Sequence, residues 1–99
     1  MQHFIFDYQF SAVVDMTCVR DTLRLSMLAT QSVFGHRRVL LESDFDMSSD
    51  DRSLWINAST EVGQHLHQVF LGYINSEFGP EAFRLARREQ AREPALQTV

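Results

Sequence analysis

Residues 2–10 alternate in character. Phe4, Phe6, Tyr8 and Phe10 fall on one side of an extended chain, and His3, Ile5, Asp7 and Gln9 on the other. The pattern predicts a strand with an aromatic inner face. Between Asp15 and Phe34 the period changes. Val19, Leu23, Met27, Thr30 and Phe34 recur at steps of three and four, which is the spacing of one helical face. Asp15 or Thr17 can cap such a helix and Gly35 can end it. Val19, Asp21, Leu23, Leu25 and Met27 also recur at period two, so a strand competes for these residues. The length of the segment and its terminal glycine favour the helix.

Val39-Leu40-Leu41, inside residues 38–42, is a short continuous apolar run and reads as a strand buried on both faces. Residues 43–51 are rich in Ser and Asp and read as a loop. Ser53-Leu54-Trp55-Ile56-Asn57 has the aromatic and β-branched content of a third, short strand. The clearest helix runs over residues 59–78, with Val62, Leu66, Val69, Phe70, Tyr73, Ile74 and Phe78 as its apolar stripe. Ser59 stands at its N-cap position and Glu61 in its first turn. Gly79-Pro80 should end it and start a last helix, with Phe83 and Ala86 turned inward and arginines outward.

The expected fold is α+β. It is a small two-layer domain in which a three-stranded sheet is covered by two long amphipathic helices, with a short C-terminal helix, in the order β-α-β-β-α-α. Residues 1–93 form the domain and residues 94–99 a tail.

Composition narrows the chemistry. The chain has 99 residues and a formal net charge of −4. All of its nine bases are arginine. The absence of lysine removes the Walker A phosphate loop and Schiff-base catalysis. The single cysteine, Cys18, removes an internal disulfide and any multi-thiolate metal site. The N-terminal residues have no basic stretch and are interrupted by Asp7, so no signal peptide is expected. No apolar run approaches a membrane span. A cytoplasmic protein is the expectation.

Several residues carry candidate chemistry. Asp44, Asp46, Ser48 and Asp50 place oxygens at alternate positions, a pattern that suits a hard cation or a ligand loop. An EF-hand is excluded, because Ser49 stands where glycine is needed and Trp55 where the bidentate glutamate belongs. The same letters would suit an Asp-x-Asp-x-Thr phosphoryl-transfer loop with Ser48 in the threonine place, but the lysine of that machinery is missing. His65 and His67 are two apart on a helix and cannot share a metal. His65 adjoins the apolar stripe, and His67 faces away from it. Cys18 stands near a helix start with Asp15 and Asp21 beside it, and reads as a small hydrophobe rather than a nucleophile. No catalytic residue, metal site or cofactor is assigned.

Arg84, Arg87 and Arg88 share a face of the last predicted helix, with Arg92 one turn on. Trp55, Tyr73 and these arginines are the residue types over-used in binding hot spots, and Leu54 beside Trp55 completes the expected interface. The expected function is therefore a small acidic intracellular interaction or regulatory module. It should be homodimeric and without catalytic activity of its own. Two alternatives stand beside it: a small enzyme or ligand-binding domain using a cleft near Asp44–Asp46 with a divalent cation, and a nucleic-acid-associated protein using the arginine stripe. The acidic balance counts against the second.

Overall fold

The structure, a computed structural model, describes residues 4–89. Its elements are β1 (Phe4–Phe10), α1 (Met16–Phe34), α2 (His36–Glu42), β2 (Phe45–Ser48), β3 (Ser53–Asn57), α3 (Glu61–Phe78), a 3₁₀ turn (Pro80–Ala82) and β4 (Phe83–Glu89). The four strands form one antiparallel sheet in the order β2-β3-β1-β4. Each long helix connects two strands that flank a third, so the chain makes two interlocked split βαβ units. The two-layer α+β architecture is as expected, but the sheet has four strands rather than three.

Three elements differ from the sequence reading, each for a physical reason. Residues 36–42 are helical, not a strand. Val39 N–H donates to Gly35 C=O and Ser43 N–H to Val39 C=O, and Arg38 pairs with Glu42 one turn on at 2.8 Å. Of the apolar run only Val39 is buried. Residues 45–48 are a strand inside the expected loop. Phe45 and Met47 pack toward the core and Asp46 points away, a period-two alternation masked by the surrounding Ser and Asp. Residues 83–89 are a strand, not a helix. Good helix formers are overruled because β4 pairs with β1 over its whole length, Phe4↔Glu89 to Phe10↔Phe83. Arg92 and the expected tail lie outside the described residues.

The core lies between the sheet and the antiparallel pair α1 and α3. Tyr8, Phe10, Leu54 and Ile56 from the sheet meet Val19, Leu23, Leu66, Phe70 and Ile74 from the helices. The expected aromatic face of β1 is correct at Tyr8 and Phe10, while Ile5, expected on the outer side, is itself buried. Thr22 near the start of α1 donates to Glu77 near the end of α3 at 2.7 Å. Phe34 at the end of α1 meets His65 near the start of α3 edge-on. Asp15 caps α1 through Thr17 N–H. Thr60, not Ser59, caps α3 through Gly63 N–H at 2.9 Å. Gly35 and Gly79 end α1 and α3 with φ of +89° and +85°, where a side chain would be strained.

Candidate functional site

The face of the sheet away from the helices carries Asp46, Ser48, Trp55, Arg84 and Arg88 of the residues singled out from sequence. Cross-strand register places Asp46, Trp55, Asp7 and Ala86 in one row, and Ser48, Ser53, Gln9 and Arg84 in the next. Trp55 sits half-buried on a central strand. Arg88 reaches Asp7 through an ion pair of 2.5 Å. Asp46 on β2 and Arg84 and Arg88 on β4 share this face but stand at opposite edges of the sheet, so the acidic segment and these arginines do not meet.

Several assignments are corrected by this geometry. Leu54 points the other way from Trp55 and is buried in the core, so it can touch no partner. The arginines lie on a strand, where alternate residues share a face. Arg84 and Arg88 share one, and Arg87 lies on the other, over the Phe4 ring at 4.5 Å. A continuous basic stripe does not form. Tyr73 is exposed on α3, in the other layer.

The cation loop does not form either. Asp46 and Ser48 belong to β2, where side chains two apart stand roughly 6–7 Å from each other along an extended strand. They cannot converge on a cation whose ligands lie at about 2.3–2.6 Å. Asp44 is tied to Asn57, whose backbone N–H donates to its carbonyl at 2.8 Å and whose amide reaches its carboxylate at 3.3 Å. Asp50 lies in the turn after β2. Among the described residues no three of His, Cys, Asp and Glu gather to hold a metal ion. No helix of the described residues is long and apolar enough to cross a membrane.

His67 reverses its expected position. It is buried, with its ring against Phe6 at 3.6 Å between centroids. Its Nε2 stands 3.5 Å from the Tyr8 hydroxyl, and its Nδ1 has no partner among the described residues. Burial lowers its pKa to about 4 and pushes the Tyr8 phenol up. Cys18 is pushed up by partial burial and by Asp15, Glu77 and Asp21, so it is a thiol and not a poised nucleophile.

Two features were not found from sequence. The first is the outer side of the helices. Leu25, Leu28 and Val33 on α1 are 57%, 60% and 60% exposed, and Leu40 and Leu41 on α2 are 62% and 77% exposed. The side of α1 that is buried carries Thr22, Ser26 and Thr30 beside Val19 and Leu23. On α1 the signal is leucines outside the helical stripe, of which the period-two reading takes up only Leu25, and on α2 Leu40 and Leu41 read as part of a buried strand.

The second is a cleft of about 640 Å³ between α1 and β2. Leu23 and Met27 from α1 and Phe45 and Met47 from β2 make it apolar, and Arg20 and Arg24 stand on its helix side. Asp46 borders it from β2, with its side chain on the opposite face of the sheet. Arg20 donates to Ser49 Oγ at 3.3 Å, across the end of the cleft. In comparisons with known proteins, no family model, curated protein or solved structure matches this chain.

Proposed function

We propose that this chain is a protein-interaction module that works as a homodimer, pairing through the outer surface of α1 and α2. The supporting observation is the two-sided character of α1. It turns Thr22, Ser26 and Thr30 to the interior and leaves Leu25, Leu28 and Val33 outside. A single exposed leucine is ordinary. Five large apolar residues on two consecutive helices are a surface that association removes from water. Fully burying a leucine or valine is worth about 1.5–3 kcal/mol relative to exposure, so a few of them offset much of the cost of association.

The partner surface must be apolar, and a second copy related by a two-fold axis offers the same residues. Tyr73 belongs to this helical layer. Trp55, Arg84 and Arg88 stand on the sheet face and form a second, mixed-sign contact surface for another protein. The nucleic-acid reading is disfavoured because Asp7 already neutralises Arg88 and Arg87 points elsewhere. A cytoplasmic, regulatory setting fits the acidic charge and the single thiol.

Light scattering across a wide range of protein concentration tests the reading. The expected mass is that of a dimer, falling to a monomer in the double variant Leu25→Glu, Leu41→Glu with unchanged circular dichroism. A monomer at every concentration, or a dimer untouched by the double variant, overturns it.

A further inference from the structure

The cleft between α1 and β2 lies beside a sheet edge. Among the described residues β2 is the end strand, hydrogen-bonded to β3 alone. The pairing phase says which of its backbone groups are free. Asn57 N–H donates to Asp44 C=O, so in an antiparallel ladder residues 46 and 48 also face β3. The N–H and C=O groups of Phe45 and Met47 therefore point to the open edge. These are the two β2 residues whose side chains help form the apolar part of the cleft.

The helix wall is basic. Arg20 and Arg24 are one turn apart on α1, a spacing at which like charges repel. Neither has a carboxylate within ion-pair distance among the described residues, where the ion pairs are those of Arg38 and Arg88. An anionic group on the cleft side would relieve that repulsion with charge-assisted hydrogen bonds. A strand edge, an apolar cleft with room for side chains and a basic helix wall are the three parts of strand-addition recognition. The volume lies within the roughly 300–1,000 Å³ of ligand sites.

We propose that the cleft between α1 and β2 takes an extended peptide segment with an acidic side chain, added as a fifth strand beside β2. Main-chain bonds to Phe45 and Met47 fix its register. Alternate side chains enter the cleft among Leu23, Met27, Phe45 and Met47, and one carboxylate meets Arg20 and Arg24. A fatty acid would use the apolar cleft and the arginines but would leave the strand edge unpaired. Asp46, which points to the opposite face of the sheet, favours neutral residues on the outward side of the peptide. The site borders the surface assigned to self-association and shares Leu28 with it, whereas Leu25 and Leu41 do not line the cleft.

The test uses the full chain and an acetylated, amidated hexapeptide in which valine, glutamate and valine alternate with threonines. Its counterparts carry lysine for glutamate, or N-methyl groups on the threonines alone or on the three other residues alone. Binding is read by fluorescence anisotropy and by amide shifts of the labelled protein. The glutamate peptide should saturate and shift Phe45 and Met47. The lysine peptide and one of the two N-methylated peptides should each bind about tenfold more weakly, while the other N-methylated peptide binds as before. Arg24→Glu, with circular dichroism unchanged, should reverse the glutamate-over-lysine preference. Met47→Pro removes an outward N–H together with the Met47 side chain, and Met47→Ala removes the side chain alone, so the proline variant should weaken the glutamate peptide more than the alanine variant does. The monomeric Leu25→Glu, Leu41→Glu variant should bind it like the parent chain, so failure of the dimer leaves this result readable. No saturation, shifts centred on Trp55, or equal binding of both N-methylated peptides and the parent peptide would overturn the proposal. Binding of dodecanoate at the cleft without any peptide binding would overturn it too.

Discussion

Lowering the pH should destabilise this fold through one side chain, His67. The residue is 5% exposed and its ring packs against Phe6 and Tyr8, with Nδ1 unpartnered among the described residues. Burial holds its pKa at about 4, against the ordinary 6.5 of an unfolded chain. Between those values the unfolded state binds a proton that the folded state refuses. Stability is therefore full above about pH 6.5 and is lost as the pH falls toward 4. At about 1.4 kcal/mol per pH unit the ceiling is about 3 kcal/mol. A small cleft lined by Phe4, Phe6 and Gln64 opens beside the ring and lets water screen it, which brings the expected loss to about 2 kcal/mol. Urea unfolding followed by the fluorescence of Trp55, the sole tryptophan, measures it at a series of pH values from neutral to mildly acidic. His67→Gln cannot titrate, so the difference between the two proteins isolates the ring from the carboxylates and from His36 and His65. That difference should shift by about 2 kcal/mol in favour of the variant as the pH falls through this window. Parallel pH profiles for the two proteins would refute the reasoning.

Other expectations rest on single contacts. A Cβ at Gly63 would collide with the carbonyl oxygen of Asn57, so Gly63→Ala should lower stability by about 1–3 kcal/mol in urea unfolding. Arg52 occupies the left-handed region at φ 54° and donates its guanidinium to the carbonyls of Ser11 and Val14. Arg52→Ala should cost about 2–3 kcal/mol through the charged bonds, and Arg52→Gly less, because glycine removes roughly 1 kcal/mol of backbone strain. A thermal scan that ranks alanine equal to or above glycine would contradict this account. Ser26 is buried on α1, so Ser26→Leu should overpack the interior and cost about 1–3 kcal/mol, whereas Leu25→Ser next to it should leave monomer stability within about 0.5 kcal/mol. Denaturation of the two variants side by side decides it.

What was legible in the sequence was set by long periods. Nineteen residues of α1 and eighteen of α3 carry enough turns for a helical stripe to stand out, and β1 has a seven-residue alternation. Short segments failed because their state is decided by neighbours. The run Val39-Leu40-Leu41 fits a buried strand as well as a helix, and the capping glycine with the Arg38–Glu42 pair decides for the helix. The segment Phe83–Glu89 prefers a helix in isolation, and the free edge of β1 decides for a strand. That one change removed the arginine face, since Arg84, Arg87 and Arg88 lie together only at helical spacing. The acidic segment failed in the same way: alternate oxygens suit a curled loop, and β2 is extended. Trp55 and Leu54 read from sequence as one contact patch, but Leu54 falls on the opposite face once residues 53–57 form a strand.

The polar residues in the interior of α1 explain why its leucines stay outside. Ser26 and Thr30 donate to the carbonyls one turn before them, of Thr22 and Ser26, both at 2.8 Å. Their hydroxyls are satisfied within α1 and require nothing from α3, so burying them carries little desolvation cost. As small side chains they leave room for α3 to approach. Rotating α1 to bury Leu25 and Leu28 would expose Val19, Leu23 and Met16, which fill the core at 0%, 6% and 8% exposure. No rotation of one helix satisfies both sets. A helix apolar on two sides belongs between two layers. Among the described residues the chain supplies one of them, the sheet, and the exposed leucines of α1 mark where the other is expected.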